Sequence, residues 1–263
     1  RDTDLISIQA KLLIPNTIMP PVSTRYRRQD QYGSHLTRPS TPPGLPPLSS
    51  HHVPLSTLSF GVVCSSNINR SMEAHQVFAN AGLTVESYGT GTNVKLPGRS
   101  KMEPQIFKFG TPYEEMYNLL AANFDDETFF TTNGVLPLCR RGASVKTAPQ
   151  RWQDTPTTAI TNHDIVIAFE ERIFDAVVND LQTREATEDF EPIHVICLDT
   201  KDHPHEAKKS GRIALELCWL LEKTAHDGGR EVLLSETPEI LEGFQQERMV
   251  HTPVKILYQL CYL

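Results

Sequence analysis

Cys64 and Arg70 stand six positions apart in the stretch Phe60-Gly-Val-Val-Cys64-Ser-Ser-Asn67-Ile-Asn69-Arg70-Ser71. The chemistry such a pair offers is attack on phosphorus. If the loop between them closes at the start of a helix, successive backbone N–H groups and the positive end of the helix dipole converge where a dianion can sit. A thiolate held at that point is a nucleophile, and a neighbouring guanidinium favours it further. The fork of Arg70 suits two phosphoryl oxygens at once. Ser65, Ser66, Asn67, Ile68, Asn69 and Ser71 complete the loop: Ser71 can donate a hydrogen bond to the thiolate, and Asn67 and Asn69 tolerate the left-handed backbone a tight anion nest requires. The competing reading is a buried structural cysteine beside a surface arginine.

The spacing alone is weak, so the flanking elements carry the weight. Leu58 to Val63 is apolar enough for a buried strand, and Ser71 to Ala81 places Met72, Val77 and Phe78 at helical spacing. The motif therefore falls on a strand-loop-helix junction.

Displacement at phosphorus also needs a proton for the departing alkoxide, and positioned proton transfer contributes roughly 10² to 10⁴-fold. Asp199 and Asp202, in the polar loop Asp199-Thr-Lys-Asp202-His-Pro-His-Glu206, are the first candidates, with Asp164, Asp175 and His75 behind them. Residue types do not separate Asp199 from Asp202, because either could equally be a solvated loop carboxylate or a helix cap. His194, His203 and His205 invite a metal reading. Lacking a second cluster of carboxylates and histidines, they read as solvated loop histidines, and no metal is assigned.

The elements that must hold these groups alternate. A strand at Leu83–Tyr88 follows the first helix, then a loop at 93–98 with Lys95 and a proline turn. Thr111-Pro112-Tyr113-Glu114 reads as an N-cap, a first-turn proline and a capping-box glutamate opening a helix to about Asn123, with Met116, Leu119 and Leu120 inward. From Asp125 to Asp154 periodicity is weak, with Phe129, Phe130, Arg140, Arg141 and Trp152 scattered and room for one short helix. Then come a strand at Asp164–Phe169, an amphipathic helix at Glu171–Arg184 and a strand at Ile193–Leu198. A helix at Ala207–Ala225 buries Ile213, Leu217, Trp219 and Leu220. Glu231 to Val250 reads as a further helix, and the apolar end from Val254 docks on the core. This alternation predicts a three-layer α/β fold, a mostly parallel sheet with helices on both faces and active loops at the strands' C-terminal ends.

The 263 residues, 39% hydrophobic, can bury one sizeable core plus an appendage. The net charge of -7 argues against direct nucleic-acid binding. Five cysteines, an odd number with no CxxC pair, fit free thiols in a reducing compartment. No apolar run reaches the ~18 residues of a membrane span and no signal-peptide pattern opens the chain, so a soluble intracellular protein without membrane attachment is expected. Residues 1–57 hold nine of the nineteen prolines, with six basic residues against three acidic ones. That composition predicts a disordered Pro/Ser-rich extension. It is either inert or a proline-rich docking segment with a nuclear address around Arg25 to Arg28.

Cys64-Ser-Ser-Asn-Ile-Asn-Arg70-Ser-Met-Glu-Ala-His75 and Tyr88-Gly-Thr-Gly-Thr-Asn-Val-Lys-Leu-Pro-Gly98 together resemble the family of phosphatases that act on the C-terminal heptad repeats of RNA polymerase II. The likeness extends through Phe169-Glu-Glu-Arg172 and the Asp199 loop to the C-terminus, leaving out residues 1–57. It implies a phosphatase domain over 58–263 with a fold like low-molecular-weight tyrosine phosphatases plus added elements. Cys64 would be the nucleophile, Arg70 the phosphate clamp and Asp202 the general acid, with Asp199 close by, and no cofactor would be needed. Lys95, Leu96, Pro97 and Gly98 would line a peptide groove for phosphoserine at the fifth heptad position followed by a cis proline. A cis X-Pro bond lies only ~0.5–1 kcal/mol above trans, so selecting it costs little affinity and links the enzyme to prolyl isomerases. The implied setting is nuclear, in transcription termination and mRNA 3′-end processing, with a symplekin-like scaffold subunit of the cleavage and polyadenylation machinery as partner. The sequence departs from the family pattern in its long N-terminal extension and in the loop, where Lys201, His203 and Pro204 surround Asp202.

Two rivals remain. Arsenate reductases share such a loop, but they relay a disulfide through further cysteines, and here the other four approach no closer than the 21 positions between Cys197 and Cys218. A phosphopeptide-binding scaffold with dispensable catalysis is the second.

Overall fold

The computed structural model describes residues 56–100, 102–188, 190–249 and 253–263, so the expectations for the N-terminal extension fall almost wholly outside it. The elements run β1 (Ser59–Cys64), α1 (Arg70–Asn80), β2 (Thr84–Gly89), β3 (Val94–Leu96), β4 (Gln105–Phe107), α2 (Tyr113–Leu120), α3 (Phe124–Thr132) and α4 (Val135–Val145). After a 3₁₀ turn at Trp152–Asp154 come α5 (Thr157–Ile160), β5 (Ile165–Ala168), α6 (Glu171–Thr183), β6 (Pro192–Leu198), α7 (Pro204–Arg248) and β7 (Ile256–Tyr262).

Five strands form one sheet in the order β2-β1-β5-β6-β7. The first three pairings are parallel and β6–β7 is antiparallel. Strand alternation sorts its residues onto two faces. Phe60, Val62, Ile165 and Ile167 pack with Phe78 of α1 and Leu217 and Leu221 of α7. Val63, Val166, Ala168 and Val195 pack with Ile173 and Val177 of α6 on the other side. The expected three-layer, mostly parallel α/β arrangement is therefore present. A separate cluster joins Ile68 and Met72 to Val94, Leu96, Tyr113, Met116 and Leu136, which seats the β3–β4 hairpin and α2–α4 against the Cys64 loop.

Several local expectations are corrected. Residues 94–96 are a strand paired antiparallel with β4, because Val94 and Leu96 alternate inward around an exposed Lys95. The helix read from Thr111 begins at Tyr113, with Pro112 at its N-cap and no side-chain cap. Its inward stripe is Tyr113, Met116 and Leu120, so Leu119 turns outward and is 58% exposed. The span 125–154 holds α3, α4 and the 3₁₀ turn; Gly134, at φ 87, makes the corner between the two helices. Helices read separately at 207–225 and 231–250 form one run interrupted at Gly229, whose φ of 80 departs from helix. Its buried stripe is Ala214, Leu217, Cys218, Leu221 and Ala225, so Trp219 and Leu220 lie off it and are partly exposed. His194 is no loop residue: it is buried in β6 and hydrogen-bonded to Tyr258 of β7 at 3.0 Å. The apolar C-terminal end docks as predicted, by becoming the edge strand β7.

Candidate active site

Cys64 closes β1 and Arg70 opens α1, so the five residues between them form the turn from sheet to helix. Of the two asparagines expected in left-handed backbone, Asn67 adopts it (φ 53), whereas Asn69, at φ -106, does not. Asn67 is fully buried and tied on every side. Its Nδ2 donates to Ser71 Oγ at 3.0 Å, its Oδ1 accepts from Gln150 N at 3.0 Å, and its carbonyl accepts from Tyr113 OH at 2.6 Å. Ser71 Oγ also lies 3.1 Å from Cys64 Sγ. With its oxygen receiving the Asn67 amide proton, the Ser71 hydroxyl can turn its own hydrogen to the sulfur.

The Arg70 guanidinium is buried and fastened along one edge. Nη1 donates to the carbonyls of Phe169 (3.0 Å) and Thr200 (2.9 Å) and to Glu170 Oε2 (2.8 Å), reaching the ends of β5 and β6. Nε and Nη2 are buried and make no hydrogen bond among the described residues. Those two atoms share one edge of the fork, the bidentate donor pair that fits a phosphoryl group. Burial works against the charge, yet Cys64, Asp202 and Glu170 more than offset it and hold the Arg70 pKa above its ordinary value.

Asp202 reaches the same place from the loop after β6. Its Oδ1 accepts from Asn69 Nδ2 at 3.0 Å and its Oδ2 lies 3.5 Å from Arg70 Nη2, while the side chain stays 58% exposed toward solvent. Asp199 is not brought there: it is exposed, and its backbone N–H bonds the Lys255 carbonyl on the β7 side. Asp164 receives Ser59 N and pairs with Arg230 at the opposite end of β1. Asp175 is exposed on α6. His75 is buried against Ser87, and burial together with the Lys146 charge lowers its pKa to about 4. The tie among the carboxylates is thus broken by geometry in favour of proximity at Asp202.

The proposed groove segment is partly inside the fold. Leu96 and Ile68 point into the apolar cluster, so neither side chain can face a ligand; Leu96 as a groove-lining side chain is corrected on that ground. Lys95 and Pro97 are exposed, and the Lys95 N–H donates to Ser66 Oγ at 3.1 Å, which fastens β3 to the loop.

Sequence reading missed most of the supports. Gly89 and Gly91 run against the loop so closely that a Cβ on Gly89 would sit 2.7 Å from the Ser65 carbonyl. The repeated glycines of Gly-Thr-Gly were the signal for that close approach. Tyr113, Glu170, Thr200 and Arg141 gave no comparable signal, because each acts across more than 45 residues of chain.

With this geometry in hand, the sequence model of the Ssu72-like protein family matches residues 58–263. The chain belongs to that family. Among Ssu72 relatives, the RNA polymerase II C-terminal domain phosphatase SSU72 of Danio rerio is 39% identical over 210 residues, covering 80% of this chain and 100% of that one. The corresponding SSU72 phosphatase from Schizosaccharomyces pombe is 40% identical over 205 residues, covering 78% and 96%. Among solved structures, Drosophila melanogaster Ssu72 with symplekin, bound to a cis peptidomimetic of the CTD peptide carrying phosphoserine-5, is 33% identical with a TM-score of 0.70 and covers 79% of this chain and 100% of its own.

Proposed function

We propose that this chain is a cysteine-dependent protein serine phosphatase of the Ssu72 family. Its substrate would be the RNA polymerase II C-terminal domain, phosphorylated on the serine at the fifth heptad position and followed by a cis proline. The observation that carries the reading is the Nε–Nη2 edge of buried Arg70, which makes no hydrogen bond among the described residues, on a guanidinium whose charge interacts with Cys64 and which lies within reach of Asp202. The family's curated members are named CTD phosphatases, and the Drosophila complex pairs the fold with a cis phosphoserine-5 mimic and with symplekin.

In this mechanism Cys64 Sγ attacks phosphorus as the P–O bond to serine breaks, giving a phosphocysteine. Arg70 and the loop amides neutralise the equatorial oxygens. Asp202 gives its proton to the serine oxygen and then, as a carboxylate, takes one from the water that releases inorganic phosphate and restores the thiolate. Ser71 stabilises the leaving sulfur in the second step. The exposed Lys95 and Pro97 border the peptide path, a symplekin-like scaffold is the partner, a prolyl isomerase supplies the cis substrate, and the site of action is nuclear.

The test is turnover of a phosphoserine-5 heptad peptide, inhibited by vanadate and insensitive to EDTA, with cis-locked proline mimics bound more tightly than trans-locked ones. Cys64→Ser should abolish it; retained turnover would refute the thiol mechanism.

A further inference from the structure

The carbonyls of the phosphate loop are engaged from outside the loop almost one by one. Cys64 O accepts from Thr90 N at 3.0 Å, Ser65 O from Gly91 N at 2.9 Å and Asn67 O from Tyr113 OH at 2.6 Å. The last two before Arg70 both receive Arg141: its Nη2, reaching from α4, donates to Ile68 O at 2.6 Å and to Asn69 O at 2.8 Å, and Asn69 O also accepts the first α1 backbone bond from Glu73 N at 2.9 Å. Arg141 Nη1 is pinned in turn by Glu73 of α1 at 2.5 Å.

We propose that Arg141 is a positioning residue for phosphate binding, one that aims the backbone N–H groups of Asn69 and Arg70 into the loop by holding the carbonyls of the same peptide units outward. The proposal rests on the phosphatase reading of the site. Its physical basis is peptide planarity. In a trans unit the C=O of one residue and the N–H of the next point in opposite directions, and the described backbone contains no cis peptide bond. Fixing Ile68 O from the α4 side therefore turns the Asn69 N–H to the side away from α4, and at Asn69 O Arg141 reinforces the Glu73 N–H bond that directs the Arg70 N–H. Loosely oriented amides make a poor anion site, whereas preorganised ones need no rearrangement when charge develops.

Arginine suits the task for two reasons. Its planar fork can hold Glu73 with one nitrogen while another bridges two carbonyls, a geometry that a lysine's single ammonium does not reproduce. Its pairing with Glu73 also keeps its charge from competing with Arg70 for the ligand. Burial lowers the Arg141 pKa, and its Nε has no hydrogen-bond partner among the described residues.

The experiment measures tungstate affinity by calorimetry and, separately, kcat/KM on the phosphoserine-5 peptide, in wild type, Arg141→Met, Arg141→Lys and Arg184→Met. Arg184 is the matched control, a similarly buried arginine that donates to the Thr155 and Trp152 carbonyls and pairs with Asp180, with no bond to the Cys64 loop. Arg141→Met should weaken tungstate binding and kcat/KM in parallel, by about tenfold to a hundredfold. Arg141→Lys, included in case the methionine variant does not fold, should lose at least about threefold in both. A purely structural loss would lower the active fraction and leave the tungstate Kd unchanged. Wild-type Kd in either Arg141 variant, an equal loss in Arg184→Met, or no tungstate binding by the wild type would overturn the proposal. Absence of peptide turnover with tungstate binding intact would overturn the phosphatase reading instead, and the calorimetry would still decide the role of Arg141.

Discussion

Replacing Gly89 by alanine tests whether the phosphate loop is held to a fixed position by the strand beside it. A Cβ at residue 89 would lie 2.7 Å from Ser65 O, 2.9 Å from Asn67 N and 2.9 Å from Phe109 Cζ. Ordinary contact begins at 3.4 Å, so the Ser65 carbonyl would have to retreat by about 0.7 Å. It cannot do so alone, because Gly91 N and the Cys64 carbonyl bond to Thr90 tie the same segment to β2 and its extension. Two of the three obstacles are backbone, so the loop itself must move rather than a flexible side chain. Overpacking of this kind costs ~1–3 kcal/mol of stability. A shift approaching ~1 Å at a reacting group can cost ~10²-fold in rate. Gly61→Ala is the control within β1: its Cβ would meet the His163 and Val166 side chains at 3.2 and 3.3 Å, and side chains can adjust. The assay is kcat/KM on the phosphoserine-5 peptide alongside a thermal melt. Gly89→Ala should lose about tenfold to a hundredfold in kcat/KM, about 1.4–2.7 kcal/mol of transition-state stabilisation, while Gly61→Ala stays within about threefold. Equal activity of Gly89→Ala and wild type would refute the idea that close packing of Gly89 sets the loop.

Asp202→Asn should slow the phosphoserine peptide at least about 10²-fold more than an aryl phosphate, whose leaving group needs little protonation; parallel losses on the two substrates would remove Asp202 as the acid. Stability should fall on acidification. Burial lowers His163 and His194 to about 4, and burial with the Lys146 charge does the same for His75. The unfolded chain takes up these protons near pH 6.5 and the folded one only near 4. Each contribution is therefore complete above about 6.5 and lost as the pH falls toward 4, at up to ~1.4 kcal/mol per pH unit per histidine. Urea unfolding at about pH 7.5, 6 and 5 measures this, and a flat profile would contradict it.

The sheet and its flanking helices were legible because their signals are local. Phe60, Val62 and Val63 alternate or run apolar within one strand, and α6 carries Ile173, Phe174 and Val177 on one face. The pairing of Cys64 with Arg70 and Ser71 was equally legible, since all three lie within one turn of chain. Residue type alone does not separate Asp202 from Asp199, because what distinguishes them is the path of a loop: one side chain meets Asn69 and Arg70, while the other residue turns toward Lys255. Trp219 and Leu220 lie off the buried stripe because the smaller Ala214, Cys218 and Ala225 form it with Leu217 and Leu221, and small side chains give a weak apolar signal in sequence. The α2–α4 region was the least readable. Gly134 divides two short helices whose shared role is to cover β3 and the loop, and that role is a tertiary one.

The fastening of Arg70 Nη1 to Phe169 O and Thr200 O joins residues 99 and 130 positions apart in the chain. The Nε–Nη2 edge of that guanidinium is aimed only when the ends of β1, β5 and β6 have already come together. Contacts of such long sequence separation form late and carry the entropy of closing large loops. The proposed phosphate cradle would consequently report completed folding: tungstate or vanadate should recognise the assembled sheet and be blind to partly folded chains. Refolding followed by recovery of anion binding would then time the final closure of the sheet rather than the early collapse of its helices.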